Sequence, residues 1–352
     1  MIKRNVNKII NLSFCGLISI QLLSAQIISP FNKVMVADTS GNYSFIVSGH
    51  FHGASTNLST YPASTLLANI DNLNSLKPNF LMSLGDMFLD VNETYLEHYK
   101  TSLFEKLKMP LLNAVGNHDL SNGNMYEKVF GRTYFSFTAQ SELFIVLNTE
   151  INDGSIKGEQ LEFLKVCLNK AKSADIKNIF IFSHRPIWAE GNPKYDMLFE
   201  GNTHSQFGSP NFEKEIRPLL ENMTLPIFWI SGSLAGGPAS FFYDKDENDS
   251  ITFMQTAIRD LPRDAVLQIN VKDGNVTFKG VSLTGQTLEP IENYTIDYWK
   301  KTIPPEASFN YRLIPLLFIQ MLKHYFFWIG FVSSLIFFFV LKWIFNRWKK
   351  RK

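Results

Sequence analysis

Two histidines separated by one residue, in the hexapeptide SGHFHG (48–53), are the first residues whose types and spacing suggest a metal site. Imidazole nitrogens bind zinc, iron and other transition metals. Such a pair is weak evidence alone, because the chain has seven histidines and a structural or surface role explains the pair equally well. Three further polar motifs strengthen the case: LGDMFLD (84–90), VGNHDL (115–120) and FSHRP (182–186).

Each of the four motifs follows an apolar stretch that is predicted to be a β-strand. These strands are predicted at 43–48, 79–84, 111–115 and 178–183, and helices are predicted between them at 62–77, 93–107 and 158–173. The carboxyl ends of parallel strands are where ligand sites are assembled in sheets of this kind. We therefore expect the four motifs to meet at one edge of the fold.

The remaining elements indicate two packed sheets. Residues 133–149 read as a hairpin, and a further strand is predicted at 225–231. The later segments ITFMQTAI, AVLQINV and NVTFKGVSL are predicted to be antiparallel strands. Alternating strands and helices followed by a β-rich end favour a layered α/β architecture.

The two ends of the chain suggest export and membrane attachment. Residues 1–25 are typical of a secretory signal peptide, with basic residues before an apolar stretch that ends in small residues. Residues 325–345 are apolar apart from Lys342, and about 20 such residues cross a bilayer as a helix. The basic tail at 346–352 marks the cytoplasmic side. We expect a single-pass membrane protein whose 31–300 region is extracytoplasmic, periplasmic or extracellular, with 301–324 as linker and interfacial segment.

Charge and cysteine content exclude two classes of protein. The whole chain has a net charge of +2. Eleven of its basic residues lie in the two ends of the chain, so residues 31–304 carry a net charge of about −8. This region has no basic footprint for nucleic acid. Cys167 is the only cysteine left after signal removal, which excludes an intrachain disulfide framework. Nothing in the sequence identifies a protein partner.

With these motifs, roughly residues 43–237 resemble the calcineurin-like metallophosphoesterase superfamily. The most specific part is the tetrapeptide Gly-Asn-His-Asp at 116–119, which follows Gly85-Asp86. The hairpin at 133–149 and the helix after it also match the family pattern. The resemblance implies an α/β fold, a four-layer αββα sandwich, to which this chain adds a C-terminal transmembrane helix.

The resemblance further implies two divalent metal ions, Mn, Fe or Zn, held at one edge of the sandwich. Paired ions of this kind clamp phosphate oxygens and activate a water for in-line attack. The expected substrate is a phosphate monoester or diester. Asp86 would bridge the ions, with His50 and His52 on the first and Asn117 and His184 on the second.

Two residues are expected to act in catalysis rather than in metal binding. The resemblance places His118 towards the substrate, as a general acid or electrostatic stabiliser. Asp90 would orient His118, as the second Asp of the family motif Gly-Asp-x-x-Asp does. The spacing here is one residue longer, so a solvated loop position is the alternative for Asp90. Asp119 is expected to support the site without binding metal.

The chain departs from the family pattern at both ends of the motif series. His50 stands where the family has Asp, and Ser233 and Ala235 stand where the family has two histidines. Each ion therefore lacks one ligand, which leaves open whether one or both are held tightly. Two functions follow: a membrane-anchored, extracytoplasmic phosphoesterase with an altered metal shell, or a catalytically impaired pseudoenzyme that acts as a binding or assembly module.

Overall fold

The computed structural model describes most of the chain between residues 27 and 350. The described ranges are 27–36, 42–151, 153–173, 175–199, 211–233, 240–246, 250–302, 318, 321–323 and 325–350. The expected signal peptide and most of the linker lie outside them. The chain forms two compact units, residues 1–300 and 301–352.

Eleven strands form two sheets among the described residues of the first unit. They are β1 Tyr43–Ser48, β2 Leu81–Ser83, β3 Leu111–Asn113, β4 Phe135–Ala139, β5 Glu142–Val146, β6 Asn178–Ser183, β7 Ile227–Ser231, β8 Phe241–Lys245, β9 Ile251–Thr256, β10 Ala265–Lys272 and β11 Asn275–Ser282. The first sheet has the order β11-β10-β1-β2-β3, and the second has the order β4-β5-β6-β7-β9-β8. The predicted two-sheet α/β sandwich is confirmed.

The helices described between residues 27 and 302 are short, with one exception. They are α1 Ser64–Ala68, α2 Ile70–Ser75, α3 Glu93–Tyr99, α4 Met125–Phe130, α5 Glu159–Ser173, α6 Asp196–Phe199, α7 Arg217–Glu221 and α8 Ile296–Thr302. Single turns of 3₁₀ helix lie at Ile187–Ala189 and Ile291–Asn293, and π-helical turns lie at Lys100–Phe104 and Phe212–Ile216.

Strand β1 shows how the alternation of side chains builds the layers. Phe45 points between the sheets, where its ring stacks on Phe80 at 4.7 Å and meets Phe144 and Phe180 of the second sheet edge-on at 5.4 and 5.1 Å. Ile46 points the other way, because successive side chains alternate across a strand. It packs into the apolar cluster formed with helices α1 to α3. The strand is therefore buried on both faces and holds the loop after it in place.

Parallel pairing brings the carboxyl ends of the motif-bearing strands together. Strands β1, β2 and β3 run parallel in the first sheet, and β5, β6, β7 and β9 run parallel in the second. The segment after β9 joins the two sheets, because Ala257 bridges Gly49 and the Ile258 amide donates to the Gly49 carbonyl at 3.2 Å.

Three details differ from the sequence prediction. The helix predicted at 62–77 is broken at Asn69, whose side chain donates to the Leu283 carbonyl at 2.8 Å instead of facing solvent. ITFMQTAI and AVLQINV are not antiparallel neighbours: β9 pairs in parallel with β7 and belongs to the second sheet, whereas β10 belongs to the first. Strand β8 was not predicted, and it pairs antiparallel to β9.

The second unit contains helix α9, Tyr325–Lys349, of 25 residues. By length and composition it can cross a membrane, and its described side chains are largely exposed. The predicted span at 325–345 lies within it. The helix runs four residues further than the predicted span and includes Asn346, Arg347, Trp348 and Lys349.

Candidate metal centre

Asp86 lies at the centre of the candidate site and is 2% exposed. Its Oδ2 atom is 3.4 Å from His184 Nε2, 3.8 Å from His50 Nδ1 and 3.9 Å from His52 Nε2. Its Oδ1 atom accepts a hydrogen bond from the His118 amide at 3.0 Å. The structure therefore brings residues from all four sequence motifs around one carboxylate.

The backbone at the ends of β1 and β2 is unusual in a way that favours this convergence. His50 and Asp86 both have positive φ angles, 57° and 53°, which non-glycine residues adopt rarely. The His50 amide donates to the Gly85 carbonyl at 2.9 Å, so the two loops support each other. Gly85 itself has φ 88°, and a Cβ atom there would come within 2.5 Å of His184 Nδ1. The small residue is needed for the histidine to approach.

The imidazole nitrogens around Asp86 lack other partners. His50 Nε2, both ring nitrogens of His52, and His184 Nε2 are buried and make no hydrogen bond in the described part of the chain. Buried polar atoms are rarely left so, because an unsatisfied donor or acceptor costs about 1–3 kcal/mol. A divalent ion among them would satisfy several lone pairs at once. This donor set of imidazoles and a carboxylate fits the ion that the sequence implies.

Burial and the Asp86 carboxylate together set the protonation states of the neighbouring histidines. His184 Nδ1 lies 2.9 Å from the Leu84 carbonyl, which can only accept, so Nδ1 carries a proton and Nε2 faces Asp86. Burial acts to lower the pKa of His184, but the Asp86 carboxylate outweighs it and raises that pKa to about 9. Burial lowers the pKa of His50 well below its usual value, which leaves His50 neutral. Burial also acts to raise the pKa of Asp86, and the surrounding histidines hold it well below its usual range.

Two groups of side chains could each hold an ion among the described residues. One is His50, Asp86 and His184, and the other is His52, Asp86 and His118; within each group the ligand atoms lie within 4.8 Å of one another. Asp86 belongs to both, as expected of a bridging carboxylate. The distribution of ligands between the two groups differs from the sequence expectation: His50 and His52 were expected on the same ion, and they fall in different groups.

Asn117 lies at the edge of the site and is exposed. Its Oδ1 atom, the expected ligand atom, accepts a hydrogen bond from Arg185 Nη2 at 3.3 Å. Arg185 is in turn held by Glu150 through two hydrogen bonds, Nε to Oε1 at 2.7 Å and Nη2 to Oε2 at 3.0 Å. A guanidinium group fixed in this way competes with a metal ion for the amide oxygen of Asn117.

His118 lines the pocket and is partly buried. Its Nδ1 atom lies 2.9 Å from the Leu89 carbonyl, which orients the ring and leaves Nε2 without that constraint. Asp90, the expected orienting residue, instead accepts hydrogen bonds from Asn92 at 2.7 Å and Ser121 at 2.8 Å. The extra residue in the Gly-Asp-x-x-x-Asp spacing thus places a backbone carbonyl next to His118.

Comparisons with known proteins found two phosphatases similar in sequence and solved structures similar in fold. No protein-family model matches the chain. The serine/threonine-protein phosphatase CPPED1 of Pongo abelii is 30% identical over 134 residues, which are 32% of this chain and 42% of that protein. The Mus musculus protein of the same name is 29% identical over 140 residues, 35% of this chain and 45% of that protein. The chain therefore matches less than half the length of these relatives.

Among solved structures, purple acid phosphatase PPD1 from yellow lupin seeds aligns with 73% of this chain and 54% of its own, with a TM-score of 0.51 and 12% identity. GAP50, the anchor in the inner membrane complex of Plasmodium, aligns with 78% of this chain and 99% of its own, with a TM-score of 0.48 and 12% identity. The chain is thus similar in sequence to these phosphatases over about a third of its length, and it has the fold of the purple acid phosphatase.

Asp119 supports the Gly-Asn-His-Asp motif through buried hydrogen bonds. Asp119 is buried and accepts from the amides of Phe88 and Gly116, each at 3.0 Å, and from the Asn113 side chain at 3.1 Å. Burial raises its pKa to about 6. Asp119 therefore fixes the loops that carry Asp86 and His118, as expected, and is absent from both metal-binding groups.

Two of the three departures from the expected motif pattern, His50 and Ser233, line the same pocket. Ser233 is buried and lines it, and the Ser233 amide donates to the His184 carbonyl at 2.7 Å. This amide contact places Ser233 beside the strand end that carries His184, and its side chain offers a hydroxyl where an imidazole was expected. Ala235 and His204 lie outside the described residues. His98 stacks on Tyr61 at 4.1 Å and is absent from the pocket lining.

The pocket has a volume of about 360 Å³, and some of its lining residues lie outside the sequence motifs. Arg259 faces it from the segment after β9, together with Leu261. Its position just after the carboxyl end of β9 is the sequence feature that could have indicated that Arg259 lies near the site.

Proposed function

We propose that residues 31–300 form a metal-dependent phosphoesterase that hydrolyses phosphate mono- or diesters. The observation that carries the proposal is a buried carboxylate, Asp86, surrounded by three imidazoles with unsatisfied nitrogens at the base of an open pocket. The phosphatase names of the CPPED1 relatives support it.

The histidines and Asp86 would hold the ion or ions. His50, Asp86 and His184 form the more buried group, so they would provide the tighter site. His52 would complete a second site with Asp86, and Asn117 would join it only if Arg185 moved away. A divalent ion of the Mn, Fe or Zn kind supplies Lewis acidity and lowers the pKa of a bound water.

His118 would handle the proton of the leaving group. Because the Leu89 carbonyl fixes Nδ1 as a donor, a protonated ring presents its second N–H, at Nε2, for donation. Donation to the departing ester oxygen would leave the ring neutral. Asp119 and Gly116 would hold this loop still during that step.

A second candidate is a binding or assembly module with the same fold. Ser233 in place of a family histidine and the Arg185 contact to Asn117 both weaken the second metal site. A chain that held one ion without turnover would fit this alternative.

The activity is tested on the full-length chain purified in detergent. We expect slow hydrolysis of aryl phosphomonoesters or diesters with Mn, Fe or Zn, and loss of that hydrolysis with a chelator. The Asp86→Asn variant prepared in parallel controls for contaminating phosphatases. If the wild-type chain bound metal stoichiometrically and turned over none of these esters, the module would be the better proposal.

We also propose that helix α9 anchors the protein, with the first unit outside the cytoplasm. The apolar length of α9 and the basic residues at its C-terminal end support this. Protease added to intact cells should digest the first unit and leave a C-terminal tag intact. Protection of the first unit, with digestion only after the membrane is opened, would contradict this topology.

A further inference from the structure

The loop that follows β9, residues 259–264 with the sequence RDLPRD, contains two arginines, and the first of them faces the metal pocket. Arg259 lines the pocket that also contains His50, Asp86 and His118. The loop is fixed there because the Ile258 amide donates to the carbonyl of Gly49, the residue before His50. Arg259 is therefore placed beside the site by backbone contacts and not by its own side chain.

The two acidic residues of this loop are engaged elsewhere. Asp260 Oδ1 accepts hydrogen bonds from Ser64 Oγ at 2.9 Å and from the Thr65 amide at 3.0 Å, at the start of α1. Asp264 is buried and accepts from Thr65 Oγ1 at 2.8 Å and from the Arg259 amide at 3.0 Å. Both carboxylates thus hold the loop in shape and neither forms an ion pair with an arginine of the loop.

The guanidinium groups of Arg259 and Arg263 consequently have no ion pair or hydrogen bond within the described residues. Both side chains are partly buried. Burial lowers the pKa of Arg259, and the charge of Arg263 lowers it further. Two partly buried like charges are costly unless an opposite charge is supplied. Asp264 attracts Arg263, but its carboxylate is bonded to Thr65 and to the Arg259 amide. Asp86 attracts Arg259, but it is already surrounded by three histidines.

We propose that Arg259, with Arg263 adding positive charge behind it, binds a second anionic group of the substrate. The reacting phosphate would lie over Asp86 and His118, and a further carboxylate or phosphate on the same molecule would reach Arg259. A guanidinium group presents paired N–H donors that match such oxygens. The substrate class is therefore a phosphate ester that carries another anionic group. This inference rests on the proposed function for the position of the reacting phosphate.

The test compares two ligands that differ by one carboxylate, methyl phosphate and phosphoglycolate. Their binding to the full-length, Mn-loaded chain is measured by calorimetry, and metal content is determined after each titration. We expect the wild-type chain to bind phosphoglycolate at least about 10-fold more tightly than methyl phosphate, since charge-assisted hydrogen bonds are the strong ones. Arg259→Met should remove this preference while changing methyl phosphate binding by less than about 3-fold. Arg263→Met should reduce the preference less.

Matched controls separate this effect from misfolding and from metal loss. Arg132→Met is the same substitution at an exposed arginine that does not line the pocket, and it should leave both affinities unchanged. Arg259→Lys keeps the charge and should retain part of the preference; it also serves if Arg259→Met does not fold. Equal affinity of the wild-type chain for the two ligands, or an equal loss of both in Arg259→Met, would overturn the inference.

Free phosphate is assayed after each titration, so binding and hydrolysis are scored separately on the same samples and the two proposals fail separately. If the chain prefers phosphoglycolate through Arg259 but hydrolyses no ester, the anion site is supported and the proposed phosphoesterase function is wrong. If the chain hydrolyses phosphate esters but shows no preference for phosphoglycolate, the phosphoesterase function is supported and the anion site is wrong.

Discussion

Replacing Asp86 by asparagine should remove nearly all bound divalent metal. The substitution keeps the side-chain volume but removes the only carboxylate in either metal-binding group. It also removes the charge that favours bringing the imidazoles together. Changing a group that only supports a ligand typically costs about 10–100-fold in metal affinity. Loss of a ligand common to both groups should cost more than that, so we expect a decrease beyond about 100-fold.

The measurement is metal content after gel filtration, followed by calorimetric titration with Mn and Zn. Asp90→Asn is the matched control, because it makes the same change in the same loop on a residue bonded to Asn92 and Ser121. It should retain wild-type metal content. Unchanged metal content in Asp86→Asn would show that the histidines hold the ion elsewhere, and the candidate centre would be wrong.

The sequence predicted which residues converge because strand ends are readable from local patterns. Apolar runs such as YSFIVS locate β1, and the polar residues just after it must lie at the edge of the sheet. The same argument places Asp86 after β2 and His184 after β6. Convergence of these residues depends only on parallel pairing, which the alternation with helices indicates.

The pairing of ligands within the site was not predictable in this way. His50 belongs to the first sheet and His184 follows β6 of the second, so their approach depends on how the two sheets pack face to face. No local pattern specifies that geometry. The parallel pairing of β9 with β7 was missed for the same reason. Strands β9 and β10 are apolar and close in sequence, so they were predicted to be antiparallel neighbours, although they belong to different sheets.

Arg259 was missed because its segment looks neutral in sequence. RDLPRD alternates opposite charges, which reads as a solvated loop of balanced charge. Only the hydrogen bonds of Asp260 and Asp264 to helix α1 show that the carboxylates are committed elsewhere. The positive charge at the pocket is thus a consequence of tertiary structure.

The contact between Arg185 and Asn117 bears on how many ions the site holds. Glu150 binds Arg185 with both carboxylate oxygens and is itself largely buried, with a side-chain exposure of 6%. Moving Arg185 would leave the buried Glu150 carboxylate without its ion pair, and an unpaired buried charge destabilises the fold. An ion that needs the Asn117 oxygen must therefore displace a stabilised guanidinium group. This favours one tight and one weak site over two equal ones.

Replacing His118 by alanine should lower the maximal rate of ester hydrolysis by about 10²–10⁴-fold, the usual contribution of a general acid. Metal content should stay near the wild-type value. His118 does belong to the group formed with His52 and Asp86, so loss of metal is the competing result. Two observations favour retention: the ring is more exposed than His52, and its Nδ1 is committed to the Leu89 carbonyl.

His184→Ala is the comparison that makes this result decisive, because His184 is fully buried and its Nε2 lies 3.4 Å from Asp86. That variant should lose metal and rate together, whereas His118→Ala should lose rate alone. Activity and bound metal are measured on the same preparations, so the ratio of rate to bound metal separates the two roles. If the ratio stayed constant in His118→Ala, the rate would fall only because the ion was lost. His118 would then be a ligand, and the leaving group would need another proton donor.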